Sequence, residues 1–192
     1  MSNANSRRHN RYLLMRHGHS EANAQGRIIS DPRRGLDAYG LSPEGHAQLE
    51  RVLAEWPWPA PTRLLHSDFL RTTQTAARVA ARFGLTPTPE PRLRERHFGT
   101  LDGGPDDRYP AVWALDAEDP DHRAFGVESV ASVAARLCGV IDALERRYRG
   151  ETLLLVSHGD PLQILLTALE GRPLTAHRQR APLLPADVVL LG

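Results

Sequence analysis

Lysine is absent from the 192 residues, so all 24 basic side chains are arginines. That excludes a P-loop lysine, a Schiff base and a Ser-x-x-Lys pair. A single cysteine, Cys138, leaves no internal disulfide and no multi-cysteine zinc site. It falls in a helical pattern and reads as a buried thiol. The formal net charge is only +1, so no field of one sign draws in nucleic acid or a membrane surface. No continuous apolar run approaches the ~18 residues of a membrane span. The polar opening MSNANSRRHN lacks the apolar stretch of a signal peptide. Residues 1–10 are expected to form a flexible leader, and the protein is expected to be cytoplasmic.

What is present fits a single domain with a full core, at 41% hydrophobic and 24% charged residues. Short apolar runs at 11–15 (RYLLM), 63–67 (RLLHS) and 152–156 (TLLLV) read as buried strands. Ser42-Pro43-Glu44 opens a helix, with serine as N-cap and proline at the first helical position, that breaks in WPWPAP. Residues 68–83 form an alanine-rich helix closed by Gly84. Apolar residues recurring every three and four positions make 128–148 the clearest helix. A further helix spans 161–170, and a last strand is expected at 187–191. The prolines of TPTPEPRL (86–93) keep that stretch out of a sheet centre. Residues 101–126, rich in Asp, Pro and Gly with one short helix near 109–115, are expected to form a lid. Strands alternating with helices predict an α/β fold, a three-layer α/β/α arrangement around a mainly parallel sheet. Ligands of such sheets bind at the carboxyl ends of the strands.

That rule selects a small set of residues. The first strand ends in Arg16-His17-Gly18, the second in His66-Ser67-Asp68 with Arg71 one turn later, and the last long one in Ser157-His158-Gly159. A fourth polar cluster, LRERHFG (93–99), holds Glu95 between arginines. Arginine forks bind phosphate oxygens and keep their charge. A neutral imidazole attacks phosphorus, and a second, protonated one shares the growing charge. A carboxyl group protonates the leaving oxygen and then takes a proton from water. Gly18 would let backbone approach the phosphate. Together these groups make a two-step phosphoryl-transfer site that needs no metal and no cofactor. A rival use of the same residues pairs His17 with His19 as metal ligands, but that needs further ligands, and Ser20-Glu21 follow instead.

The ordered set RHG (16–18), SDFLRTTQTA around Arg71, ERHFGTLDG around Glu95 and SHG (157–159), with GLSPEG at 40–45, resembles the histidine phosphatase superfamily. The similar branch contains cofactor-dependent phosphoglycerate mutase and related phosphatases. The resemblance covers residues 12–169 and implies a phosphoglycerate mutase-like fold. By position, His17 resembles the histidine that becomes phosphorylated, with Arg16, Arg71 and His158 as the rest of the phosphate pocket. Asn23 resembles a phosphate-contacting asparagine, and Glu95 the general acid and base. Gly159 would bring backbone near the phosphate. Arg96, Arg27, Arg108, Tyr109, Trp113 and Arg123 are candidates to meet the leaving group.

Two departures matter. His19 stands where the family commonly has Glu or Gln. The lysine and paired arginines with which mutases hold a sugar-acid phosphate are missing, and Phe98 replaces a tyrosine. A mutase must retain its substrate while it is rephosphorylated, whereas a phosphatase need only admit water, so a phosphatase acting on a small phosphorylated metabolite is expected. A phosphomutase is the alternative in the same fold. A catalytically silent phosphate- or phosphoprotein-binding module is the alternative of another class.

Overall fold

A computed structural model describes residues 8–191. The first part of the expected leader, residues 1–7, lies outside the described residues. Its last two residues are tied down. Asn10 is buried and its amide donates to the Glu145 carboxylate at 2.8 Å and the Tyr148 carbonyl at 2.9 Å, while the His9 N–H donates to Glu145 at 2.7 Å.

In chain order the elements are β1 (Arg11–Arg16), the single turns α1 (Glu21–Ala24) and α2 (Pro32–Gly35), α3 (Pro43–Glu55), β2 (Arg63–His66), α4 (Leu70–Phe83), β3 (Pro87–Pro89), α5 (Tyr109–Asp116), α6 (Val130–Arg147), β4 (Thr152–Ser157), α7 (Gly159–Leu169) and β5 (Val188–Leu191). The five strands form one sheet in the order β3-β2-β4-β1-β5, parallel except for β5. Pro87 and Pro89 sit on the edge strand, where missing ladder donors are tolerated.

Strand side chains alternate between two faces. Tyr12, Leu14, Leu153 and Leu155 point toward α6 and α7. Leu13, Met15, Leu154 and Val156 point toward α3 and α4. Both faces are therefore apolar, as a parallel sheet covered on each side requires. The stretch Ala124–Arg147 has a mean hydropathy high enough, over a long enough window, to cross a membrane. A count of continuous apolar runs does not find it, because serine, arginine and glycine interrupt the run. Its apolar positions, Val130, Val133, Leu137, Val140, Ile141 and Leu144, form one side of the core.

Local chemistry sets the helix ends. The Ser42 hydroxyl accepts from the Gly45 N–H at 3.2 Å with Pro43 in the first turn, a cap worth about 1 kcal/mol. Gly84 closes α4 in the left-handed region at φ 66°. The segment 101–126 does not float free. Ile28, Phe98, Val112 and Val127 form a small apolar cluster that seats α5 over the strand ends.

The turn after β1 is pressed against the start of α3. A methyl group on Gly45 would lie 2.0 Å from the His19 carbonyl oxygen, whereas one on Gly139, inside α6, would meet nothing within 4 Å. Gly45→Ala is therefore expected to destabilise by at least ~1–3 kcal/mol through overpacking. Gly139→Ala is expected to stabilise by about 0.5–1 kcal/mol through helix propensity. Urea unfolding of both variants checks the opposite signs.

Candidate active site

Parallel pairing fixes the centre of the site. Arg16 lies in register with Ser157 and His66 with Val156, so β1, β2 and β4 end along one edge of the sheet. The next residues are His17, Ser67 and His158. The two imidazoles meet edge to face with ring centroids 5.2 Å apart. Arg71, in the first turn of α4, reaches between them and is 4% exposed.

The hydrogen bonds assign the protons. His17 Nδ1 lies 2.7 Å from the Gly18 carbonyl oxygen, which only accepts, so the ring proton sits on Nδ1. Nε2 is left with its lone pair and receives Arg71 Nε at 3.2 Å. The same Nε–H is shared with His158 Nδ1 at 3.2 Å, and His158 Nε2 donates to the Ser67 hydroxyl at 2.9 Å. Burial, then Arg71, hold both histidines well below the ordinary imidazole range, with Arg16 adding to His17 and the neighbouring His17 to His158. The expected protonated partner at 158 is thus neutral while no anion is bound. Ser67 orients that ring and was legible only as one more polar residue at a strand end.

Two guanidinium groups leave donors unspent. Arg16 Nη1 donates to the Leu183 carbonyl at 2.7 Å, yet its buried Nε has no partner among the described residues. Arg71 Nη2 donates to the Ile29 carbonyl at 2.9 Å, and its buried Nη1 is also without a partner. An unmet buried donor costs roughly 1–3 kcal/mol, more for a charged group. Arg71 contacts His17 Nε2 and the Arg16 charge also acts on that ring, so the two unmet donors describe a seat for an oxyanion.

Glu95 completes the set. Its Oε1 accepts the Arg96 N–H at 2.9 Å, and its Oε2 lies 3.9 Å from Arg71 Nη2 and 3.8 Å from His158 Nδ1. Burial pushes its pKa up to about 7, against the pull of Arg71 and with help from Asp160. A carboxyl group so placed both gives and takes a proton near neutral pH. Beside it opens a cleft of about 120 Å³. One wall is a stack of Tyr109 on Trp113, with ring centroids 5.2 Å apart and planes 6° apart, and the Arg178 guanidinium lies 3.6 Å from the Trp113 ring centre. Leu183 and Pro182 line it too.

The structure brings Arg16, His17, Arg71, Glu95 and His158 together and reassigns the other candidates. Arg96 is fully buried and makes a two-pronged ion pair with Asp116 at 2.7 and 2.8 Å, while its Nε donates to the Glu128 carbonyl at 2.7 Å. That guanidinium is committed to the scaffold and does not face a substrate. A side chain at Gly18 would meet Gly45, Leu41 and Leu49, so this glycine lets α3 approach and does not clear room for phosphate. A side chain at Gly159 would meet the Arg16 guanidinium at 3.3 Å, so that glycine makes room for Arg16. Asn23 Oδ1 accepts from the Ser20 N–H at 3.0 Å in a capping box, which leaves its amide nitrogen for other contacts.

Arg27, Arg108 and Arg123 are exposed and lie outside the cleft wall, which Tyr109 and Trp113 do form. His19 turns away from His17: its Nδ1 lies 2.8 Å from the Ser42 hydroxyl and 3.7 Å from Glu44. Among the described residues no group of three or more His, Cys, Asp or Glu is placed to hold a metal ion. Arg178 carried no signal in the sequence, because it arrives from a 3₁₀ turn (Leu174–Gln179) after α7 and not from a strand end.

Comparison with known proteins places the chain in a family. The chain is 32% identical over 177 residues to a probable phosphoglycerate mutase of Yersinia pestis, covering 86% of this chain and 77% of that one. Among solved structures it resembles a mycobacterial hydrolase, at 26% identity and TM-score 0.80, covering 94% of this chain and 90% of that one. It also resembles mycobacterial glucosyl-3-phosphoglycerate phosphatase in complex with inorganic phosphate, at 26% identity and TM-score 0.78, covering 97% and 90%. The model of the histidine phosphatase superfamily (branch 1) matches residues 12–191. With that match over nearly its whole length, the chain belongs to the histidine phosphatase superfamily.

Proposed function

We propose that the protein is a metal-independent phosphatase that hydrolyses a phosphomonoester of a small metabolite through a phosphohistidine on His17. The observation that carries this reading is the His17 ring itself. It is neutral, its proton is held on Nδ1 by Gly18, and its Nε2 lone pair accepts from Arg71, whose Nη1 is unspent.

In the first step Nε2 attacks phosphorus while the bond from phosphorus to the leaving oxygen breaks. The Glu95 proton goes to that oxygen. Arg16 Nε and Arg71 Nη1 take up charge on the transferring oxygens, where fixed donors do most for a transition state. The arriving dianion also favours uptake of a proton from solvent at His158 Nδ1, which then releases the Arg71 N–H and becomes a third donor. In the second step Glu95, now a carboxylate, takes a proton from water as the water oxygen attacks phosphorus. The N–P bond breaks, phosphate leaves, and both His17 and Glu95 return to their starting states.

A phosphatase is favoured over a mutase by the lack of any lysine and by the commitment of Arg96 to Asp116. The specific observation on the other side is the likeness to a probable phosphoglycerate mutase. A substrate panel of sugar phosphates, acid phosphates, nucleotides and phosphopeptides separates the two. The phosphatase reading expects phosphate release that persists in EDTA. Transfer of labelled phosphate between positions of a phosphoglycerate, without release, would overturn it. His17→Ala is expected to lower kcat on the order of 10⁴–10⁶-fold, as removal of a nucleophile does elsewhere, and full activity in that variant contradicts the mechanism.

The pH profile follows from the two ionisations. Step one needs Glu95 protonated, so kcat/KM is expected to fall as pH rises through about 7. His17 loses its lone pair only well below its ordinary range, so an acid limb at about pH 6, where a phosphomonoester dianion gains a proton, belongs to the substrate and not to His17. Glu95→Gln is expected to lower kcat by roughly 10²–10⁴-fold and to abolish the limb near neutrality. A limb unchanged in that variant would assign it to another group.

A further inference from the structure

The stretch that presents Glu95 has no regular structure. Residues 94–98 lie between two short 3₁₀ turns and belong to no helix or strand. Left to itself, such a backbone would expose its carbonyls and wander. Here it is gripped from behind by one side chain of α6. Arg136 Nη1 donates to the carbonyls of Arg92 at 2.6 Å and Arg94 at 2.9 Å, and Nη2 donates to the carbonyl of Glu95 itself at 3.2 Å. The remaining donors go to Glu128, with Nε to Oε1 at 2.8 Å and Nη2 to Oε2 at 3.1 Å. A guanidinium has five N–H donors in a rigid fork, and every one is used. Glu128 is fixed in turn, since its N–H donates to the His97 carbonyl at 2.8 Å and its carboxylate accepts from Ser132 at 3.3 Å.

We propose that Arg136 is a positioning residue for Glu95, setting the angle at which the carboxyl group meets the leaving oxygen without touching substrate. This rests on the reading of Glu95 as general acid. An arginine in an exposed ion pair is ordinarily worth little. This one spends two donors on carbonyls of the segment that carries the acid and a third on the turn just before it. Arg96 anchors the same segment from the other side through Asp116, so the Glu95 backbone is held between two forks. Lysine, with three donors on a point charge, reproduces only part of the grip.

A misplaced acid leaves a signature that mere loss of stability does not. An alkoxide departs slowly unless it is protonated, whereas a nitrophenolate departs readily without a proton. Arg136→Gln is therefore compared with wild type on glycerol phosphate and on p-nitrophenyl phosphate. The expected result is a fall of about 10²-fold in kcat/KM, which reports the first step alone, for the alkyl ester, the scale of a displacement near 1 Å, with a much smaller fall for the aryl ester. Inhibition by vanadate is expected to stay unchanged, and Arg136→Lys to recover part of kcat/KM for the alkyl ester. Equal losses on both esters in folded protein, or no loss on either, overturn the proposal. If Arg136→Gln does not fold, as judged by thermal unfolding, the same ratio in Arg136→Lys decides. Glu95→Gln run in parallel keeps the two readings apart. Ester discrimination in Glu95→Gln but not in the Arg136 variants overturns this proposal alone. Its absence in Glu95→Gln overturns the general-acid reading beneath it.

Discussion

Arg71 is the charge around which the rest of the site is arranged. Its guanidinium is 4% exposed, and a buried cation is tolerated only where donors find acceptors or charge finds charge. One N–H is shared by two imidazole nitrogens, another goes to the Ile29 carbonyl, and Glu95 approaches at 3.9 Å. For both histidines to accept from Arg71 they must be neutral and offer lone pairs on the same side. The cation thereby selects the tautomers that a nucleophilic His17 requires. Its unspent Nη1, with Nε of Arg16, supplies the attraction for an anion. The same fixed positive charge lowers the pKa of His17 and opposes the rise in that of Glu95. His17 and Glu95 are thus set apart by their surroundings: a base that stays unprotonated and an acid that holds its proton to about pH 7.

Around that centre the fold divides its labour. The parallel sheet delivers Arg16, His17, Ser67 and His158 to one edge, because three strands end in register. The cleft beside them is built from later additions to the sheet. The α5 helix brings Tyr109 and Trp113, and the chain after α7 brings Arg178 and Leu183. A buried polar network ties these additions together: Asp116 of α5 pairs with Arg96 and receives His122 at 2.6 Å, while Asp160 of α7 lies 3.4 Å from both Arg96 and Arg178. Removing one partner from such a network strands a buried charge, typically at about 3–5 kcal/mol. The segment over the strand ends is therefore bolted down through α5, and the cleft is lined mostly by residues the sheet does not carry.

Much of this was legible in the sequence, for identifiable reasons. Continuous apolar runs gave the three central strands to within a residue, and the serine–proline start of α3 and the glycine end of α4 are local signals that tertiary contacts did not override. The rule that ligands gather at strand ends chose Arg16, His17, Arg71 and His158 from residue types alone, and the polar cluster at 93–99 added Glu95. What could not be read is what depends on packing partners distant in the chain. Gly18 and Gly159 sit beside the site, yet their missing side chains clear α3 and Arg16. Arg96 stands next to Glu95 in sequence but faces the other way, into Asp116. Ser67 and Arg136 act on His158 and Glu95 across separations of 91 and 41 residues, and no motif announces either contact. The hydropathy of the 124–147 stretch is that of a membrane helix, and only the sheet that covers its apolar positions shows it to be core.

The account stands on His17 as the group that carries the phosphoryl. The direct measurement is to mix enzyme with a phosphomonoester it turns over, quench within one turnover at alkaline pH, and locate the phosphate by ³¹P NMR and peptide mass spectrometry. The account predicts a base-stable, acid-labile phosphoramidate on Nε2 of His17, absent in His17→Ala. Phosphate on any other residue, or turnover with no covalent phosphoenzyme formed on the time scale of catalysis, would contradict it.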